Sequence, residues 1–303
     1  MSQPTTVLAG FAFTESPRWR AGRLWFSDFY QERVFSAAED GSDVRVEAVV
    51  PGQPSGLGWL PDGRMVVVSM RDAKILRREP DGELVVHADL GGRARGYAND
   101  MVVDARGRAW VGSFGFDLMG GAPLAPAALH RVDPDGRVTE AATDLWFPNG
   151  MALTPDGTLL VNETFGNRVT AFSVDADGNL GDRRVWARFG EVPAGREFGE
   201  VLSQLVVSPD GACLDAEGGL WIADATGARL LRVTEGGTIT QEIGPGSNVY
   251  ACALGGADGR TLFACTAPDF FEEARRPVRE AAIVALPVTV PGLAPASGSR
   301  AGT

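Results

Sequence analysis

Gly22-Arg-Leu-Trp-Phe-Ser, Gly63-Arg-Met-Val-Val-Val, Gly107-Arg-Ala-Trp-Val-Gly, Gly157-Thr-Leu-Leu-Val-Asn, Gly219-Leu-Trp-Ile-Ala-Asp and Gly259-Arg-Thr-Leu-Phe-Ala are six versions of one phrase. In each, a glycine turn opens a short apolar run rich in strand-forming residues and too short for a helix. After most of them a polar turn leads to a second strand, as in Ala73-Lys-Ile-Leu-Arg-Arg and Asn167-Arg-Val-Thr-Ala-Phe. Further turns, Pro80-Asp-Gly and Pro134-Asp-Gly, introduce a third strand, with glycine supplying the positive φ of a hairpin. The repeat is about 40 to 60 residues long, the size of a four-stranded propeller blade. A β-sandwich is the competing all-β architecture, but it has no reason to repeat one motif six times. The expected fold is an all-β, six-bladed β-propeller with almost no helix. Residues 1–290 form its single domain. From about Val288 a final strand and a loose end are expected, with 291–303 a flexible, Pro-, Gly- and Ser-rich C-terminal tail.

Composition narrows the function classes. The 39 acidic side chains outnumber the 28 basic ones, for a formal charge of −11. That sign repels phosphate backbones and anionic lipid, so neither nucleic acid nor membrane is an expected partner. No apolar run approaches the roughly 20 residues of a membrane helix. The opening residues, Met1 to Phe13, show no basic leader followed by an apolar run, so a cytoplasmic location is expected. Cys213, Cys252 and Cys265 have no metal-type spacing and read as reduced, buried small residues.

A second segment recurs ahead of each glycine run and continues into a short apolar stretch, as the first strand of a blade would. First strands line a propeller's channel, so equivalent positions form a ring, read here as Glu15, Ser55, Asn99, Asn149, Asp210 and Asn248. Asn-Gly and Asp-Gly are also ordinary turn dipeptides, and Pro-Asp-Gly recurs at Pro61, Pro80, Pro134 and Pro155. Register separates the two uses, because those four copies fall between strands. Carboxylate and amide oxygens without cysteine or histidine suit one hard divalent cation at the centre, calcium first, with manganese, magnesium, iron(II) and zinc open. His87 and His130 fall outside the ring.

Four pieces in order make the sequence similar to a known family. They are Glu15-Ser-Pro-Arg-Trp with Leu24-Trp-Phe-Ser-Asp28; Asn99-Asp-Met-Val-Val-Asp104 with Gly107-Arg-Ala-Trp-Val-Gly; Pro148-Asn-Gly-Met-Ala-Leu with Val161-Asn-Glu-Thr; and Pro209-Asp-Gly-Ala-Cys-Leu-Asp-Ala-Glu-Gly-Gly-Leu-Trp-Ile-Ala. The chain resembles, over nearly its full length, the regucalcin/gluconolactonase (senescence marker protein) family of metal-dependent propellers, to which diisopropylfluorophosphatases are related. The resemblance implies Glu15, Asn149 and Asp210 as ligands of the metal and Asp210 also as general base. It implies Asn99 as a further catalytic residue that reaches the metal or the substrate. Sugar-lactone members carry arginine two residues before the channel asparagine; here that residue is Tyr97.

Aromatic residues follow the inner strands: Phe29, Tyr30, Phe114, Phe116, Trp146, Phe147 and Phe165. Tyr97, Phe114 and Phe147 are the expected substrate-pocket residues. Asp104, like Thr154 and Asp215, repeats at a hairpin turn and reads as structural; Glu163 admits a structural role or one near the site. No Gly-x-Ser-x-Gly elbow is present, and off-ring histidines argue against a Ser-His-Asp triad. The expected function is a metal-dependent, gluconolactonase-like hydrolase, a lactonase opening a small cyclic ester by a polarised carbonyl and an activated water. Two alternatives stay open: organophosphate hydrolysis at the same site, and a non-enzymatic propeller stabilised by its cation.

Overall fold

The computed structural model describes residues 3–293. Within them, 24 strands form six four-stranded antiparallel sheets arranged as propeller blades. Every glycine run becomes the second strand of a blade: Arg23–Asp28, Met65–Ser69, Ala109–Ser113, Thr158–Glu163, Leu220–Asp224 and Thr261–Thr266. These strands have a neighbouring blade on each face, which explains their unbroken apolar character. Met65–Ser69, Ala109–Ser113 and Leu220–Asp224 are buried at every residue, whereas the outermost strand Thr238–Ile243 has no buried residue. Burying each Val, Leu or Ile of such a run stabilises the fold by about 1.5–3 kcal/mol. Trp221, Cys252 and Leu262 from adjacent blades share one buried cluster, so the core consists of inter-blade layers around the channel.

Five blades use four consecutive strands; the sixth does not. Its first three strands are Val249–Gly255, Thr261–Thr266 and Ala281–Pro287, and its outermost strand is Thr5–Phe11, paired from Thr5↔Ala285 to Phe11↔Ala281. The final strand expected from the C-terminal segment therefore comes from the other end of the chain. Holding both ends of the ring in one sheet closes the circle with ladder hydrogen bonds, a stronger latch than packing alone. After Val288 the described chain adds no strand; it is held by a bridge between Gly292 and Asp215 and by backbone hydrogen bonds from Ala216 to Pro291 and from Gly292 to Gly259. The remainder of the expected tail, 294–303, lies outside the described residues.

Two short helices occur among the described residues, Phe198–Gln204 between blades four and five and Glu272–Arg275 inside blade six. No helix among the described residues is long and apolar enough to cross a membrane. The turn residues behave as expected: Asp104 accepts hydrogen bonds from the Arg106 and Arg108 backbones and from the Arg108 guanidinium, and Asp215 does the same work for Glu217, Gly219 and Arg232. Glu163 is fully buried, paired with Arg168 at 2.7 Å and bonded by the Trp146 N–H, so it ties the second strand of blade four to the segment that carries Phe147. All three cysteines are free thiols; Cys252 and Cys265 are buried and Cys213 is half-buried.

Candidate active site

The first strands are Thr14–Arg20, Pro54–Trp59, Ala98–Val103, Pro148–Leu153, Pro209–Leu214 and Val249–Gly255, and all six carry a register shift at their channel end. Asn99, Asn149 and Asp210 sit inside the shift, between Ala98 and Met101, Pro148 and Met151, and Pro209 and Ala212. A bulge bends a strand and re-aims the side chain it carries, and here it turns the ring residues into the channel. Gly150 and Gly211 follow for a reason unrelated to turns. A Cβ on Gly150 would lie 2.4 Å from the Asp210 carbonyl oxygen, and one on Gly211 would lie 2.5 Å from Ala251 Cα. Neighbouring first strands approach so closely that only hydrogen fits between them. The Pro-Asp-Gly copies at Pro61, Pro80, Pro134 and Pro155 are genuine turns, each with a positive-φ glycine.

Register also corrects the sixth ring position. In blade six the shift falls between Val249 and Ala251, so Tyr250, not Asn248, is the counterpart of Asp210. Asn248 instead belongs to a second tier, two residues before the first: Phe13, Gln53, Tyr97, Phe147, Ser208 and Asn248, all of which line one cavity. Gln53 and Phe147 hold left-handed backbone, φ 66° and 59°, to face it. Such conformations cost of order 1–3 kcal/mol and persist only where the surroundings impose them.

The lower tier is polar and buried. Glu15, Asn99, Asn149 and Asp210 are each 5–7% exposed and line the cavity floor. Asn149 Nδ2 donates to Asp210 Oδ1 and, at 3.2 Å, to Thr164 Oγ1; Thr164 Oγ1 donates to the Pro209 carbonyl at 2.9 Å. Asn162 Nδ2 donates to the Asp210 carbonyl at 2.5 Å, fixing that strand from blade four. Ser16 N–H donates to Glu15 Oε2 at 2.7 Å, and Arg18 pairs with Asp100 at 2.8 Å behind it. Ser55, at the equivalent place in blade two, is buried but does not line the cavity.

Burial pushes the Glu15 carboxyl up to about 8, reinforced by the charge of Asp100 and opposed by the Ser16 N–H and Arg18. Asp210 is raised well above the usual carboxylate range, first by burial and then by the charges of Glu15 and Asp100. A carboxyl that holds its proton more tightly when folded contributes stability at acid pH, and that stability is lost as pH rises from its unfolded value towards its folded one. The metal-free protein should therefore melt at progressively lower temperature as pH climbs from about 5 to 8, and a divalent cation should abolish the decline. Melting temperatures flat with pH in both states would contradict the mutual repulsion of these carboxylates.

Two carboxylates without a neutralising partner between them, joined by two amides and with no cysteine or histidine on the cavity wall, form a donor set suited to a hard divalent cation. No group of three His, Cys, Asp or Glu side chains converges among the described residues, so amide oxygens would have to complete any such shell.

Above the floor the cavity, about 380 Å³, is walled by aromatic rings. Tyr97, Phe114 and Phe147 all line it, with Phe114 and Phe147 stacked at 4.5 Å and Tyr97 at 5.6 Å from Phe114. Phe147 meets Phe165 edge-on at 5.0 Å, Phe165 meets Phe198 at 5.9 Å, and Phe198 reaches Phe270 at 6.4 Å. Tyr30 Oη donates to the Phe270 carbonyl and closes the collar on blade one. Phe29, Tyr30 and Phe165 line the cavity as well, whereas Phe116 and Trp146 do not. Phe116 packs 6.2 Å behind Phe147, and Trp146 lies under the Arg196 guanidinium. Phe198, Leu202, Phe270 and Phe271 come from connections that break blade register, so no repeat pattern points to them.

Comparison with known proteins places this geometry. Residues 13–268 match the model of the SMP-30/Gluconolactonase/LRE-like region. The 6-deoxy-6-sulfogluconolactonase of Pseudomonas putida is 32% identical over 82% of this chain and 81% of its own length. Regucalcin of Bos taurus is 28% identical over 84% of this chain and 83% of its own. Among solved structures, a gluconolactonase of Xanthomonas campestris superposes with a TM-score of 0.70 at 26% identity, covering 94% of this chain and 89% of that one. With a match from the first strand of blade one into blade six, the chain belongs to the SMP-30/gluconolactonase/regucalcin family.

Proposed function

We propose that this protein is a metal-dependent lactonase that opens a small cyclic ester to its hydroxy acid. The carrying observation is the pair of buried carboxylates, Glu15 and Asp210, set with Asn99 and Asn149 on the floor of a ligand-sized cavity. Glu15, Asn149 and Asp210 would hold the cation, calcium being the first choice. When bound, the cation supplies Lewis-acid polarisation of the ester carbonyl. Asp210 accepts the proton of the water whose oxygen bonds to the carbonyl carbon; the ring C–O bond breaks, and the alkoxide leaves protonated as the hydroxyl of the product. Asn99, whose Nδ2 makes a long 3.4 Å hydrogen bond to the Pro148 carbonyl, would reach the metal or donate to the substrate oxygen. Thr164 and Asn162 hold the Asn149 and Asp210 strands in register for this work.

The relatives named for lactone hydrolysis support the reaction type but not their substrates. The P. putida relative is named for a sulfo-substituted sugar lactone. Here no arginine or lysine lines the cavity among the described residues. The apolar wall is compatible with an uncharged phosphotriester, which keeps organophosphate hydrolysis as the second reading. A pH-indicator assay of the cation-loaded protein decides between them: lactones should turn over faster than a fluorophosphate. Faster fluorophosphate turnover than any lactone would transfer the assignment, and turnover of neither would leave a binding role.

A further inference from the structure

The substrate class is written in the upper tier and the collar. Above the floor, most polar side chains are already bonded within the protein. Ser208 and Thr226 share a hydrogen bond of 2.8 Å, and Asn248 Nδ2 donates to the Pro268 carbonyl at 2.7 Å. Asp269 accepts from the Phe271 N–H and pairs with Arg275 at 3.2 Å. The Gln53 amide, whose Nε2 has no protein partner, and the phenol hydroxyls of Tyr97 and Tyr250 remain to meet a ligand. A polyhydroxylated sugar ring would place several hydroxyls against phenyl faces, and each buried hydroxyl without a partner weakens binding. An anionic substrate fares no better, because the cavity wall carries carboxylates and no cation. The two guanidinium groups beside the wall are both engaged by carboxylates: Arg71, 6.0 Å from the Tyr97 ring, by Glu272, and Arg275 by Asp269 and Glu280.

The apolar surface has a direction as well. From Phe114 and Phe147 beside the floor, the rings run without a gap through Phe165 and Phe198 to Phe270 at the mouth. There the 55%-exposed Phe271 stacks on Phe270 at 4.6 Å. Such an arc matches a linear hydrocarbon chain leading away from a reacting centre on the floor.

We propose that the substrate is an uncharged lactone bearing an alkyl chain, with the lactone head on the Glu15/Asn99/Asn149/Asp210 floor and the chain along the Phe147–Phe165–Phe198 arc. This rests on the lactonase reading for its reaction and on the aromatic arc for its ligand class, and the test separates the two. Activity is measured with the cation-loaded protein on glucono-δ-lactone and on δ-lactones of increasing alkyl length. In parallel, binding of the matching δ-lactams, which resist hydrolysis, is measured by calorimetry. Both kcat/KM and lactam affinity should rise roughly three- to fivefold per added methylene until the arc is filled, with the gluconolactone kcat/KM below that of every alkyl lactone. In Phe198→Ser the slope of kcat/KM and of lactam affinity against chain length should flatten. Chain-length-dependent lactam binding without any lactone turnover would support the ligand class and overturn only the hydrolase reading. Hydrolysis that favours gluconolactone, or lactam affinity indifferent to chain length in the wild type, would overturn this proposal and leave the hydrolase reading standing. Absence of both turnover and lactam binding would overturn both.

Discussion

Asp210→Asn should reduce lactone turnover by about 10²–10⁴-fold, lower the protein's affinity for its divalent cation, and raise the melting temperature of the metal-free form. Asparagine keeps the shape of aspartate and can still bond the Asn149 amide, so the fold has no reason to fail. What disappears is a charge. In the wild type that charge is buried within reach of Glu15 and Asp100, and each of the two raises the Asp210 carboxyl. Two like charges in a buried site oppose each other unless a cation lies between them, so neutralising one relieves the metal-free protein. The same change removes a ligand oxygen from the proposed site and the only ring carboxylate proposed to accept the proton of the attacking water. Opposite signs on stability and activity distinguish a functional carboxylate from a structural one. Undiminished turnover in this variant would remove Asp210 from the reaction; a large drop in melting temperature would make it a structural residue.

Gly150→Ala should destabilise the protein by about 3 kcal/mol or more and weaken cation binding, although it adds a single methyl group. The new carbon would lie 2.4 Å from the Asp210 carbonyl oxygen, 2.6 Å from the Ala212 nitrogen and 2.7 Å from Gly211 Cα, all backbone atoms of the next blade. No side chain can rotate away, so blades four and five must separate at the channel and carry Asn149 and Asp210 apart. Gly157→Ala is the informative control. Gly157 has φ 86° in a turn, with nothing closer than 3.9 Å to an added Cβ, so the cost there is the left-handed backbone alone, about 1–2 kcal/mol. Thermal midpoints of the two variants, with and without cation, check the ranking. Equal losses would mean the channel strands are not in the contact described.

These two glycines show what the sequence could and could not disclose. Asn149-Gly150 and Asp210-Gly211 look like turn dipeptides, and Asp156-Gly157 is one; the difference is strand register, visible only because the blades repeat. Repetition made the six second strands legible, and through them the channel positions of Glu15, Asn99, Asn149 and Asp210. It failed at Asn248, because blade six carries its bulge two residues later than the polar pattern suggested, on Tyr250. It failed again at the closing strand, because Thr5–Phe11 pairs with a segment at the opposite end of the chain, and that pairing leaves no local signature. Tyr97, Phe114 and Phe147 were within reach because they flank inner strands. Phe198 and Phe270 were not, since they stand in connections unique to their blades, and a residue without counterparts carries no register. Asn162 was in plain view beside Glu163, yet its hydrogen bond to the Asp210 carbonyl spans two blades and follows only from the folded arrangement.

The most direct test of a cation-dependent lactonase is hydrolysis of an alkyl δ-lactone by the chelator-stripped protein, before and after return of calcium, manganese, magnesium, zinc and iron(II) one at a time. Turnover should be absent from the stripped protein, reappear with at least one cation at a stoichiometry of one per chain, and fail to reappear in Asp210→Asn. Full turnover by the stripped protein, or restoration that Asp210→Asn shares, would contradict a reaction carried by a cation on the Glu15, Asn149 and Asp210 floor.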